Sequence, residues 1–95
     1  MIEPPATLPL KLHDKWKELA AYCAERQALG PADLKDLERY ILLGWECDAL
    51  TPKLISAINR GDSDDIAKLT ATQERLYSQI RKLSNRLGLS SRPSR

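Results

Sequence analysis

The chain has 95 residues and a mass of 10.7 kDa, room for one small domain and not for a two-domain enzyme. Hydrophobic residues make up 42% and charged residues 29%, with ten glycines and prolines, a composition that excludes a disordered or collagenous chain. The longest uncharged run, Pro4 to Leu10, is seven residues, far short of the roughly 20 apolar residues that cross a bilayer, and no basic-then-apolar leader pattern opens the chain, so the expectation is a cytosolic protein with no membrane partner.

The formal charge of +2 hides an asymmetry. Residues 1–50 carry 6 basic and 9 acidic groups, residues 51–95 carry 9 and 4, and after Leu76 there are five cations and no acid. A basic rear half is compatible with a polyanionic partner. Cys23 and Cys47 both fall in apolar helical patterns, so neither a disulfide framework nor a zinc site is expected. Chains this short often gain stability by burying surface against copies of themselves.

In chain order, Pro4, Pro5 and Pro9 predict an extended arm over residues 1–10, because proline lacks an amide donor and biases its predecessor away from helix. Leu12, Trp16, Leu19 and Cys23 recur at steps of 4, 3 and 4, predicting an amphipathic helix over about 12–28. At Leu29-Gly30-Pro31 the chain breaks: Gly30 suits a helix end, Pro31 a first helical position, and Asp33 complements the new dipole. A second helix over about 32–50 carries Leu34, Leu37, Ile41, Gly44 and Trp45 on one stripe, while Tyr40, Leu42, Leu43 and Cys47 extend the apolar surface around the cylinder. A helix apolar over most of its circumference is buried on more than one side, by a thick single-chain core or partly by another subunit.

Thr51-Pro52 interrupts the pattern, so a short helix near 53–59 is expected, ending at Gly61. Asp62-Ser63-Asp64-Asp65 shares composition with a calcium loop but lacks its 12-residue spacing, internal glycine and terminal glutamate; Asp62 or Ser63 is read as a helix cap. The last helix, about 64–87, carries Ile66, Leu69, Gln73, Leu76, Ile80, Leu83 and Leu87, a heptad seam broken only by Gln73, which could fix register. Spacing alone leaves open whether this seam packs within the chain or between subunits. Gly88 stops the helix, and residues 89–95 form a basic flexible tail. The expectation is an all-α fold: a compact helical domain at 11–88 with three main helices.

No catalytic pattern emerges. His13 is the one histidine and no nucleophile motif surrounds a serine or cysteine. The four glycines are isolated, with no phosphate-cradling loop. Asp33 with Asp36, and Asp64 with Asp65, fall at helix starts where dipole complementarity accounts for them. Neither metal nor cofactor is implied. What remains is basic surface: Arg75, Lys82 and Arg86 lie at steps of 7 and 4, with Arg81 about 100° away. Such side chains bind phosphate backbones without reading sequence, although cations at a helix C-terminus also complement its dipole.

Trp16 with Leu19, the Leu29-Gly30 break followed by Asp33, the Leu37-Glu38-Arg39-Tyr40 run and the closing Leu83…Leu87-Gly88-Leu89-Ser90-Ser91-Arg92 together resemble the small terminase subunits of tailed bacteriophages, in particular the P27-like family, over most of the chain. Members commonly finish a long helix with Leu-Gly-Leu, Thr or Ser, Pro and Ser-Arg; here the proline comes later, at Pro93 before Ser94-Arg95. The resemblance implies a non-enzymatic, ring-forming homo-oligomer of about eight to twelve subunits, in the cytoplasm of the bacterial host. Such a ring binds double-stranded viral DNA and presents it to the large terminase subunit for genome packaging. No separate helix-turn-helix domain fits before Leu12, so DNA is expected to meet Arg81, Lys82, Arg86, Arg92 and Arg95, with Lys53 and Arg60 as second choices. Leu42, Leu43, Trp45, Leu76, Ile80 and Leu83 are expected to bury helices within and between subunits. Two other readings stand beside it: a small helical adaptor or transcriptional regulator acting as a dimer, and a small enzyme with a pocket hidden between the helices.

Overall fold

A computed structural model describes residues 2–89. After a 3-10 turn at Leu10–Leu12, three helices follow: α1 (His13–Arg26), α2 (Pro31–Arg60) and α3 (Ser63–Leu87), with no strand among the described residues. Helices α2 and α3 form a long antiparallel hairpin, and α1 packs on its open end. The molecule measures 48 × 27 × 25 Å, its length set by the 30 residues of α2 at 1.5 Å per residue.

The punctuation read from the sequence holds at three of four points, except that α1 stops at Arg26 and Gly30, expected at its end, caps the start of α2. Pro31 is a first helical residue, and the Asp33 carboxylate accepts from the Gly30 amide (3.0 Å). At the hairpin tip Gly61 takes the left-handed conformation (φ 70°) and the amides of Gly61 and Asp62 return to the last carbonyls of α2. This is a closure that favours glycine because a Cβ is strained there. Asp62 then caps α3, its carboxylate accepting from the Asp65 amide (3.1 Å). Gly88, also left-handed (φ 76°), ends α3.

The fourth point is a correction. A break was expected at Thr51-Pro52, with separate helices at 32–50 and 53–59; instead α2 runs unbroken from Pro31 to Arg60 with Pro52 inside it. Proline's fixed φ is helical, and its cost is the missing bond to the Asp48 carbonyl and the crowding of that carbonyl. Pro52 is exposed, so its ring sits on the outer side while α3 holds the inner side straight. Gln73 of α3 is buried at this level and its amide donates to the Cys47 carbonyl (3.1 Å) and to Thr51 Oγ1 (3.2 Å). The polar residue in the heptad seam thus tethers α3 to the turn of α2 that proline weakens.

Two clusters make the core. At the open end Trp16, Leu19, Ala20 and Cys23 of α1 meet Leu37 and Ile41 of α2 and Leu87 of α3. Midway along the hairpin Leu43, Cys47, Leu76 and Leu83 interlock, with Tyr40, Leu50 and Ile80 half-buried around them. The α3 seam therefore packs within the chain. Residues from both ends of the described range join the first cluster. The arm is packed: Leu8 is buried, Trp16 Nε1 donates to the Ile2 carbonyl (3.1 Å), and His13 Nε2 donates to the Leu8 carbonyl (2.9 Å). Leu89, assigned to the tail, is buried beside Leu87.

Candidate nucleic-acid interface

An antiparallel helix pair buries its facing stripes and leaves two flanks. On one flank, steps of three, four or seven residues align Lys35, Arg39, Leu42, Glu46, Lys53 and Arg60 of α2 beside Lys68, Arg75, Lys82 and Arg86 of α3. Two shallow grooves mark the line where these rows meet. One, of about 650 Å³, is lined by Lys35, Arg39, Leu42, Glu46, Arg75 and Gln79 among others. The other, of about 540 Å³ near the tip, is lined by Pro52, Lys53, Ser56, Arg60, Asp65 and Lys68 among others.

The cations of this flank fall into two groups. Arg60 is engaged by Asp65 (3.0 Å), Asp62 (3.8 Å) and the Ser56 hydroxyl (2.8 Å), and Arg86 by Asp36 (3.4 Å). Lys35, Arg39, Lys53, Lys68, Arg75 and Lys82 are exposed and make no ion pair with any described residue. Among the acids, Asp36 and Asp65 hold arginines and Glu38 accepts from the Thr7 hydroxyl. Glu46 in the first groove and Asp64, one turn before Lys68 in the same row, are left as exposed carboxylates of this flank. The sum is a positive ridge along the hairpin whose guanidinium and ammonium groups are available for phosphate oxygens.

Of the residues expected at a DNA surface, Lys82, Lys53, Arg86 and Arg60 come together on this flank, the last two already paired with acids. Arg81 is exposed but turned toward the other flank. Arg92 and Arg95 lie outside the described residues. Lys35, Arg39, Lys68 and Arg75 belong to the ridge and were not in the expected set. Lys68, Arg75 and Lys82 repeat at seven-residue steps, a readable signal, but Lys35 and Arg39 line up with Lys53 only because α2 passes through Pro52.

Of the expected interface residues, Leu43, Leu76 and Leu83 are buried between α2 and α3, Leu42 and Ile80 are half-buried, and Trp45 is exposed. Trp45 stands on the second flank, where a cleft of about 280 Å³ is lined by Leu12, Tyr40, Gly44, Trp45, Asp48 and Ile80 among others. Lys11 lies over the Trp45 ring, 4.3 Å from its centroid. Tyr77 stands beside this cleft. Its phenol is held above the usual tyrosine range chiefly by the neighbouring Cys47 thiol, then by partial desolvation and the Asp48 carboxylate.

Among the described residues no three potential metal ligands come together, and no helix is long and apolar enough to cross a membrane. No protein-family model, no curated protein and no solved structure matches the chain.

Proposed function

We propose that the chain is a non-catalytic helical subunit that binds the phosphate backbone of duplex nucleic acid through the basic flank of its α2/α3 hairpin. The observation that carries this is the row of six exposed cations without acidic partners among the described residues, Lys35, Arg39, Lys53, Lys68, Arg75 and Lys82. Cations left uncommitted on one face serve contacts that position a backbone rather than read bases. Joined to the family resemblance of the sequence, the more particular reading is the small terminase subunit of a tailed bacteriophage. In that role a homo-oligomeric ring of about eight to twelve copies binds viral DNA and hands it to the large ATPase and nuclease subunit in the bacterial cytoplasm.

The test is fluorescence anisotropy of a labelled duplex titrated with wild type and with the triple variant Lys68→Glu/Arg75→Glu/Lys82→Glu across a salt series. Wild-type affinity should fall linearly on a log–log plot, and the variant should bind roughly 10-fold or more weakly. Its slope should be shallower by about 0.9 for each phosphate contact removed. Absence of binding at low salt, or an unchanged slope in the variant, overturns the reading.

A further inference from the structure

The charges of the basic flank are arranged in a register that the two helices share. Gln73 of α3 donates to both Cys47 and Thr51 of α2 and so stands opposite Ala49; 13 residues further on, Arg86 faces Asp36, 13 residues back from Ala49. One antiparallel register therefore holds from mid-hairpin to the open end. It sets Lys53 beside Lys68, Glu46 beside Arg75 and Arg39 beside Lys82, each pair within one residue of level. On both helices these levels are seven residues apart, so the flank is a ladder of three rungs spaced by about 10.5 Å.

The rungs differ in charge. The first and third each hold two exposed cations, while the middle one sets Arg75 beside the exposed carboxylate of Glu46, and none of the six makes an ion pair with a described residue. The neighbouring acids leave this alternation in place: Asp36 holds Arg86, Asp62 and Asp65 hold Arg60, and Glu38 accepts from Thr7. Asp64 lies one turn outside the first rung and Lys35 one turn outside the third.

We propose that the hairpin bridges the major groove of B-form DNA. The Lys53/Lys68 rung meets phosphates of one strand and the Arg39/Lys82 rung those of the other, with Glu46 and Arg75 over the open groove between them. This deepens the proposed function and rests on its nucleic-acid reading. The major groove is about 12 Å wide and the minor about 6 Å, so facing phosphates stand roughly 18 and 12 Å apart once phosphate radii are added. The outer rungs, about 21 Å apart, meet the wider spacing when the lysine and arginine stems lean inward. Adjacent rungs fit the narrower spacing, but every such placement brings the middle rung, and Glu46 with it, onto a phosphate row, where like charges repel. Laying the flank along a single strand does the same. The bridge over the wide groove sets Glu46 against no phosphate, in a hollow that Leu42 and Gln79 also line.

The experiment is fluorescence anisotropy of the full chain on a labelled DNA duplex across a salt series, with circular dichroism to check that each variant stays helical. Lys53→Ala/Lys68→Ala and Arg39→Ala/Lys82→Ala should each weaken binding roughly 10-fold or more and lower the salt slope by about 1.8, two phosphate contacts apiece. Arg75→Ala and Glu46→Gln, about 10 Å from either phosphate row, should each change affinity at physiological salt by less than about 3-fold. Excess netropsin, which fills the minor groove, should leave the chain on the duplex. Four results overturn the bridge: an Arg75→Ala loss equal to that of an outer rung, a Glu46→Gln gain of about 10-fold, an outer rung whose removal changes nothing, or displacement by netropsin. Each of these leaves duplex binding, and with it the proposed function, in place, whereas absence of duplex binding at low salt removes both.

Discussion

Replacing Pro52 with alanine should stabilise the protein. A proline inside a helix is about 3 kcal/mol less favourable than alanine, through the missing donor and the clash with the carbonyl four residues back. Two features reduce what the substitution can recover. Gln73 already donates to the neighbouring Cys47 carbonyl and to Thr51 Oγ1, and removing a proline enlarges the unfolded ensemble by roughly 0.4–1 kcal/mol. Because Pro52 is exposed, alanine leaves no cavity, and the net gain should be about 1–2 kcal/mol. For a domain of this size that raises Tm by roughly 5–15 °C. Thermal and urea unfolding followed at 222 nm read it directly, with an unchanged m-value showing that the folded state keeps its extent. A lower Tm would refute the reasoning, because it would mean that packing between α2 and α3 depends on the geometry proline imposes.

Two further predictions concern groups the sequence did not single out. Leu8 is buried in the first core cluster, so Leu8→Ala should cost about 2–4 kcal/mol by chemical denaturation; a loss below about 0.5 kcal/mol would show that the arm is dispensable. Cys47→Ala should lower the titration midpoint of Tyr77 toward the ordinary value of about 10, because the Cys47 thiol is the largest cause of its elevation. Since the folded value is raised, Tyr77's contribution to stability is complete below about pH 10 and fades as pH rises through the folded value. Ultraviolet titration of wild type, Cys47→Ala and Asp48→Asn should therefore order the midpoints with wild type highest and Cys47→Ala lowest.

The helices were legible because their punctuation is local. Gly30-Pro31, Gly61 with Asp62, and Gly88 act through backbone preference and capping within a few residues, and the heptads of α3 predicted a seam that does bury Gln73, Leu76, Leu83 and Leu87. What escaped depends on a neighbour distant in sequence. Pro52 reads as a breaker until Gln73, 21 positions on, stands opposite its turn, and Leu8 and Leu89 look like terminal residues until Trp16 and Leu37 provide something to pack on. For the same reason the sequence points to cations at the chain end, where they are dense, and does not reveal the ridge along the hairpin, which draws Lys35 and Arg39 from the acidic half of the sequence.

The distribution of core along the hairpin carries a last consequence. Both apolar clusters lie toward the open end, reaching no further along α2 than Leu50 and along α3 than Leu76. Beyond them the tip is held by Ala57, half-buried Leu54, Ile66 and Leu69, the Gly61–Asp62 closure and the exposed Arg60–Asp65 pair. An exposed pair of this kind adds at most about 1 kcal/mol, and regions with few buried apolar contacts open before the rest. In a dilute monomeric sample the amides of residues 51–70 should therefore exchange faster than those near Leu37, Cys47 and Leu83. Residue-resolved hydrogen exchange reads the difference directly. A tip as protected as the open end would show that the hairpin is cooperative over its whole length.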